Sequence, residues 1–284
     1  MSGGRRGGAR AALAALGYHG LALSVAAVFV VPAAWVIAGS LRQPGLPPPR
    51  TIEWVPAPVA WDNYVRIFEL VPLGRYLLNS LVVVALAVPL TVVVASWAGF
   101  AMAQLPARAR HALIGLAVAL RMVPLTALWL TRFVMFAELR LVDTLAALVA
   151  PAWMGSSPFF VLIFYWAFRR MPPALVDAAR LDGLGAFGVW ARIAMPLARP
   201  ATVAVGVLTF VQYWSDFINP LLYLKTDARY TLSVGLRALQ QMDATNWPLH
   251  LAAAVVMMGP VVLLFFLAQR AFWMPDRAAG GGGR

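Results

Sequence analysis

The apolar runs of this sequence are too long to belong to a water-soluble core. Leu21 to Ile37, and the stretch from Asn79 to Ala103, carry no charged side chain. Each approaches the roughly 20 helical residues needed to cross a hydrocarbon layer about 30 Å thick. The chain has 284 residues, is 62% hydrophobic and only 12% charged, and has a mean hydropathy of +0.76, well outside the balance of a soluble domain. Its length accommodates six spans and little else. They are placed at about 18–40, 77–104, 112–137, 144–168, 198–223 and 250–272, giving an all-α polytopic membrane protein. The division expected is an N-terminal tail (1–17), a first transmembrane helix (18–40), a loop (41–76), a five-helix core (77–273) and a C-terminal tail (274–284).

The first apolar run exceeds a signal-peptide core and no small-residue cleavage site follows, so it reads as a retained span. The loop after it is rich in proline and carries Trp54 and Trp61, suited to a membrane interface. Within the second span Pro89 predicts a kink, and Gly99 and Ala103 offer a small-residue face for close helix packing. The absence of cysteine excludes disulfides and Cys-ligated metals. His19, His111 and His250 have no ligand spacing, so no metal site is expected. Lys225 is the only lysine and follows Leu224, so a phosphate-binding Gly-Lys motif is absent. The formal charge of +12 follows topology rather than nucleic-acid binding. Of 23 basic residues, Arg121 and Arg132 fall within a span, and the others divide 13 to 8 between the two sides. The positive-inside rule therefore puts both termini and the 169–200 segment in the cytoplasm.

That segment, RRMPPALVDAARLDGLGAFGVWARIAMPLARP, is the long polar interruption between spans. Pro172 and Pro173 suit a first helical turn. Leu175, Ala178 and Ala179 share a face, and Asp177 and Arg180 are spaced as a surface pair. Gly183 suits a left-handed helix end. Phe187, Trp190, Ala191 and Ala194 recur as a second amphipathic face, and Pro196 and Pro200 bracket the return to the membrane. VDAARLDG followed by PLARP resembles the EAA loop of binding-protein-dependent, ATP-driven importers. Asp177, Ala178, Ala179, Asp182, Gly183, Pro196 and Pro200 match that pattern; Asp177 replaces the usual Glu, and Leu184 the usual Ala. The resemblance implies two short coupling helices, with Leu181 and Phe187 in the same set, docking on a cytoplasmic ATPase.

Ionisable groups inside spans are costly and default to functional candidates. Arg121 and Arg132, about three turns apart, are expected on one side of a single helix, and Asp216 lies in the fifth span. Thr209, Gln212, Asp216 and Asn219 form a polar stripe, with Tyr213 and Trp214 beside it offering faces to a sugar ring. Either these side chains meet cargo or they hold helices together by hydrogen bonds and an Asp216–arginine pair. QYWSDFINPL resembles the signature of the maltose-type (MalG-like) carbohydrate permeases at Trp214, Asp216, Phe217 and Pro220, with Ser215 where Asn is usual. The segment around Asn63 and Tyr64 resembles one preceding the core in that branch. TLSVGLRALQQ at 231–241 resembles its outer loop, or is a short interfacial helix.

The resemblance implies a MetI-like permease subunit of an ABC importer in the bacterial cytoplasmic (inner) membrane, moving a sugar or oligosaccharide. Its implied partners are a second permease, forming a heterodimer, two copies of an ATPase subunit and an extracytoplasmic binding protein. It implies no catalytic residue and no cofactor in this chain, ATP and Mg2+ being used by the ATPase. Two alternatives stay open: another cargo such as a glycerol-phosphate ester, or a proton-coupled secondary transporter working through Asp216.

Overall fold

The structure is a computed structural model describing residues 4–45, 51, 53–242 and 246–272, with side chains from 15 to 269. The expected C-terminal tail thus lies outside the described residues. In chain order the helices are α1 (Gly4–Ser40), α2 (Asn63–Leu70), α3 (Leu73–Gln104), α4 (Ala107–Met122) and α5 (Trp129–Glu138). Then come α6 (Leu145–Val149), α7 (Pro158–Arg169), α8 (Pro173–Leu181), α9 (Ala186–Val189) and α10 (Met195–Leu197). The last are α11 (Arg199–Trp214), α12 (Ile218–Tyr223), α13 (Leu232–Met242) and α14 (Trp247–Phe272). Among the described residues, four stretches are long and apolar enough to cross a membrane: Ala15–Ser40, Leu73–Gln104, Leu145–Arg169 and Trp247–Gln269. Two bent pairs raise the total to six if each counts as one span. The helices α3 and α14 run on through Pro89 and Pro260.

Three of the expected spans are not single helices. The third bends by 86° between α4 and α5. Pro124 forces Val123 into an extended conformation (φ −73°, ψ 120°) and cannot donate to a continuing helix. The fourth passes from α6 into a 3-10 turn, Ala150–Met154, and breaks at Gly155 and Ser156, both with positive φ. The fifth starts after an 83° bend from the Ala186–Leu197 segment and stops at Trp214. A proline at 220 would clash with the carbonyl of residue 216 in an unbroken helix. The chain opens there instead, and the Asp216 carbonyl accepts a hydrogen bond from Ser233 Oγ at 2.6 Å.

The chain forms two compact units. The first comprises residues 1–71 and 238–258. From Leu16 to Phe29 the large apolar side chains of α1 are exposed, as a helix facing lipid requires. Asn63, fully buried, donates from Nδ2 to the carbonyls of Ser40 and Arg42, both at 2.7 Å, and Tyr64 Oη lies 2.7 Å from Ser40 Oγ. The Asn63/Tyr64 segment is thus a clasp that folds the loop back onto α1. Arg42 pairs with Glu53 at 2.5 Å.

The second unit comprises residues 72–237 and 259–284. Its core is α3 packed against α7 and α11. At Gly99 the helices approach so closely that a Cβ would lie 2.8 Å from Phe164 Cβ and from the Tyr165 nitrogen. Phe100 meets Phe168 edge-on at 5.6 Å, and Phe164 stacks on Phe168 at 5.8 Å. Val176, Ala179, Val189, Trp190 and Ala194 of the 169–200 segment join this core.

Candidate functional site

The helix breaks converge on one small cavity. Its polar lining comes from Arg132 on α5, Ser156 in the turn before α7, Gln212 and Tyr213 on α11, Asp216 in the break, and Asn219 and Tyr223 on α12. Its volume is about 80 Å³, room for a few waters and far below a ligand pocket of roughly 300 Å³ or more. Irregular backbone at membrane depth is tolerated where it lines such a space. The Asp216 carboxylate accepts from Asn219 N at 3.2 Å and Nδ2 at 2.7 Å. Tyr213 Oη lies 2.9 Å from Ser156 Oγ, which lies 2.5 Å from Thr91 Oγ1 on α3. The site thus offers a cation, a carboxylate, an amide and a hydroxyl chain, a set able to hydrogen-bond a polyhydroxylated molecule if it widens.

The structure sorts the candidate residues. Arg132, Gln212, Tyr213, Asp216 and Asn219 come together. Arg121 does not: it is exposed at the end of α4, and the bend at Pro124 removes the shared helical side expected for it and Arg132. Trp214 does not line the cavity; it is 2% exposed and stacks on Phe210 at 5.4 Å, so its faces are taken within the chain. Ser156, Thr91 and Tyr223 escaped the sequence reading because their relevance depends on helix contacts that no local pattern encodes.

Asp143 was likewise missed. It follows α5 at φ +63°, where Asp is tolerated better than most residues. Its N–H donates to the Tyr223 carbonyl at 2.7 Å. Its carboxylate accepts from Thr226 Oγ1, from the amides of Lys225 and Thr226 at 2.9 Å each, and from Arg229 Nη1 at 2.9 Å. These bonds close the α5–α6 turn onto the segment after α12. The Thr226 hydroxyl, then the two amides, with a smaller contribution from Arg229, hold the Asp143 carboxyl well down, at about 2. A depressed folded-state value stabilises above the unfolded value and is lost as pH falls through the folded one. The clasp should therefore hold at pH 4 and open as pH falls towards 2, and Asp143→Asn should weaken it already at pH 7. Protection of the Lys225 and Thr226 amides from hydrogen exchange measures this. Unchanged protection in Asp143→Asn would refute it.

The 169–200 segment folds into two short helical pieces around a turn. At the end of α8 the amide of Leu184 donates to Ala179 O and that of Gly183 to Arg180 O, both at 3.0 Å, with Gly183 at φ +83°. This is a Schellman closure, which needs the left-handed residue. Pro196 and Pro200 sit in the first turns of α10 and α11, where a missing N–H costs little. The buried face of α8 is Val176 and Ala179, not Leu175 and Ala178, which are exposed. Arg180 donates to Gln104 Oε1 at 3.3 Å rather than pairing with Asp177. A π-helical turn, Trp190–Ala194, separates α9 from α10. It rotates the second face so that Trp190 and Ala194 are buried while Phe187 stays 62% exposed. Asp177, Ala178, Leu181 and Asp182 are exposed as well, Leu181 at 89%. The segment therefore leaves two large apolar side chains, Leu181 and Phe187, and two carboxylates, Asp177 and Asp182, exposed.

Residues 87–272 match the family described as the binding-protein-dependent transport system inner membrane component. The chain is 31% identical over 238 residues to the sulfoquinovosyl glycerol transport system permease protein SmoH of Agrobacterium fabrum, covering 84% of each chain. It is 30% identical over 223 residues to the arabinooligosaccharides transport system permease protein AraQ of Halalkalibacterium halodurans, covering 78% of this chain and 79% of that one. The fold resembles a crystal structure of a bacterial ABC transporter that imports the polysaccharide alginate, with a TM-score of 0.73 at 15% identity over 93% of this chain and 97% of that one. The family match spans well over half the sequence, and the chain belongs to the inner membrane components of binding-protein-dependent transport systems.

Proposed function

We propose that this chain is the permease subunit of an ATP-driven importer that passes a sugar or oligosaccharide from an extracytoplasmic binding protein into the cell. The observation that carries the proposal is the capped 169–200 segment, whose helical pieces are anchored in the core through Val176, Ala179, Val189, Trp190 and Ala194 while Asp177, Leu181, Asp182 and Phe187 stay exposed. In this reading those exposed residues dock on a partner ATPase, which binds and hydrolyses MgATP. Both termini and the segment face the cytoplasm, in accord with the distribution of arginine. A second permease subunit faces this one, and two ATPase copies sit beneath the pair. The cavity around Arg132, Tyr213, Asp216 and Asn219 is the closed form of this subunit's share of the cargo path. Its hydroxyl, amide and charged groups match a polyhydroxylated cargo, and the carbohydrate names carried by SmoH and AraQ support the same class.

Affinity purification of the tagged chain from its native membrane in mild detergent is expected to recover an ATPase with a phosphate-binding Gly-Lys motif and a second permease, identified by mass spectrometry. Cells carrying the system should accumulate labelled arabino-oligosaccharide or sulfoquinovosyl glycerol, and lose that uptake when the chain is deleted. A chain that purifies alone and still transports would overturn the ATP-driven reading. Uptake of neither probe by an otherwise intact complex would overturn the carbohydrate assignment alone.

A further inference from the structure

Helix α3 touches the rest of its unit at three levels. At its first turns, Asn79 Nδ2 donates to the carbonyls of Ala228 and Tyr230 at 3.0 and 2.9 Å, and Ser80 Oγ accepts from Leu232 N at 2.9 Å. Midway, Thr91 joins the hydroxyl chain that reaches Tyr213 in the cavity wall. At its far end one face receives both helical pieces of the 169–200 segment. Gln104 takes the Arg180 hydrogen bond, while Trp97 lies 6.0 Å from Phe187 and 5.7 Å from Trp190 by ring centroids. Phe187 and Trp190 are themselves 5.4 Å apart, so the three rings form a closed triangle. The opposite face of α3 is locked to α7 at Gly99. From Ser80 to Trp97 the helix spans about 26 Å at 1.5 Å per residue.

We propose that α3 is the rod by which movement of the 169–200 segment reaches the cavity, and that Trp97 is the positioning residue fastening the segment to that rod. This role presupposes the ATP-driven importer proposed above. A tryptophan suits it because tilted and edge-on ring contacts resist rotation as well as separation. The side chain is 50% exposed and borders an open apolar groove of about 740 Å³ shared with Val94, Ala98 and Ala101. Truncating it therefore loosens the fastening, which the Arg180–Gln104 bond and the segment's buried face also serve, without leaving a sealed void in the core. Loss of Trp97 should leave α3 packed on α7 while the segment moves without it.

The absence of cysteine gives a clean readout. Leu125 is exposed and lines the cavity, so Leu125→Cys reports opening there through its rate of labelling with N-ethylmaleimide. The assay uses the whole complex in permeabilised cells, with and without MgATP and vanadate, and scores label on this chain by mass. With Trp97 present the nucleotide should change the rate at least about fivefold, the lower range of coupling between sites. Trp97→Ala should remove most of that change, Trp97→Phe should retain it, and all variants should keep the co-purifying partners. Trp97→Leu, which keeps apolar bulk without a ring, serves if the alanine variant fails to assemble. A parent-like nucleotide response in Trp97→Ala or Trp97→Leu would overturn the role of Trp97. Absence of any response with Trp97 intact would instead overturn the ATP-driven reading itself.

Discussion

Replacing Gly99 with valine is expected to remove most of the folded chain from the membrane. A Cβ at this position would lie 2.8 Å from Phe164 Cβ, 2.8 Å from the Tyr165 nitrogen and 2.9 Å from the Val161 oxygen. Two of those three atoms are α7 backbone, which cannot swing aside as a side-chain tip can. Relief requires α3 and α7 to separate along the seam that also holds Phe100 against Phe168. Ordinary overpacking costs about 1–3 kcal/mol, and valine, wedged against backbone, should reach or exceed the upper figure. Gly206 on α11 is the control, because a Cβ there meets nothing within 4 Å; Gly206→Ala should be neutral or slightly stabilising, given alanine's better helix propensity. The measurement is the amount of monodisperse protein recovered in detergent and its thermal unfolding midpoint. A parent-like midpoint for Gly99→Val would show that the helices are not in the close contact described.

What could be read from sequence was what depends on local or periodic chemistry. The apolar runs and their approximate limits were legible because hydropathy registers them directly: α3 and α14 begin within a few residues of the expected spans, and α1 ends at Ser40 as expected, although the helix already starts at Gly4. So was the left-handed Gly183, since glycine after a short helix followed by an apolar residue is a local cap pattern. The breaks were not. Residues on both sides of Pro124, and of Ser215 to Phe217, are equally apolar, so a hydropathy window passes over the bend that separates Arg121 from Arg132. Pro89 shows why proline alone does not decide the matter, since α3 continues through it. The cavity and the Asp143 clasp depend on residues far apart in sequence: Ser156 and Tyr213 meet across 57 positions, and Asp143 and Thr226 across 83. Trp97 carries no signal at all in sequence, being one apolar residue in an apolar helix. Its relevance depends on the π-turn that rotates Trp190 inward and leaves Phe187 at the rim.

Gly183→Val, by contrast with Gly99→Val, should leave the chain inserted in full amount and abolish ATP-driven uptake. Nothing lies within 4 Å of a Cβ built at Gly183, so the substitution meets no neighbour. The obstacle is torsional: φ is +83°, and holding a β-branched residue there costs about 1–3 kcal/mol. The cheapest relief is to abandon the left-handed turn, which breaks the bonds from Gly183 and Leu184 to the last turn of α8. Exposed Leu181 on α8 and Phe187 on α9 then lose the fixed relation that the turn between them sets, although Val176, Ala179 and Trp190 can stay in the core. Gly183→Asn is the companion variant, because Asn tolerates left-handed backbone far better than valine, and it should keep most of the uptake. Both are compared by accumulation of whichever labelled carbohydrate the parent system takes up, normalised to the amount of this chain in the membrane. If the valine variant transports normally at parental abundance, the capped turn does not set the docking surface. If asparagine fails together with valine, side-chain bulk at the interface rather than backbone conformation is what the partner reads.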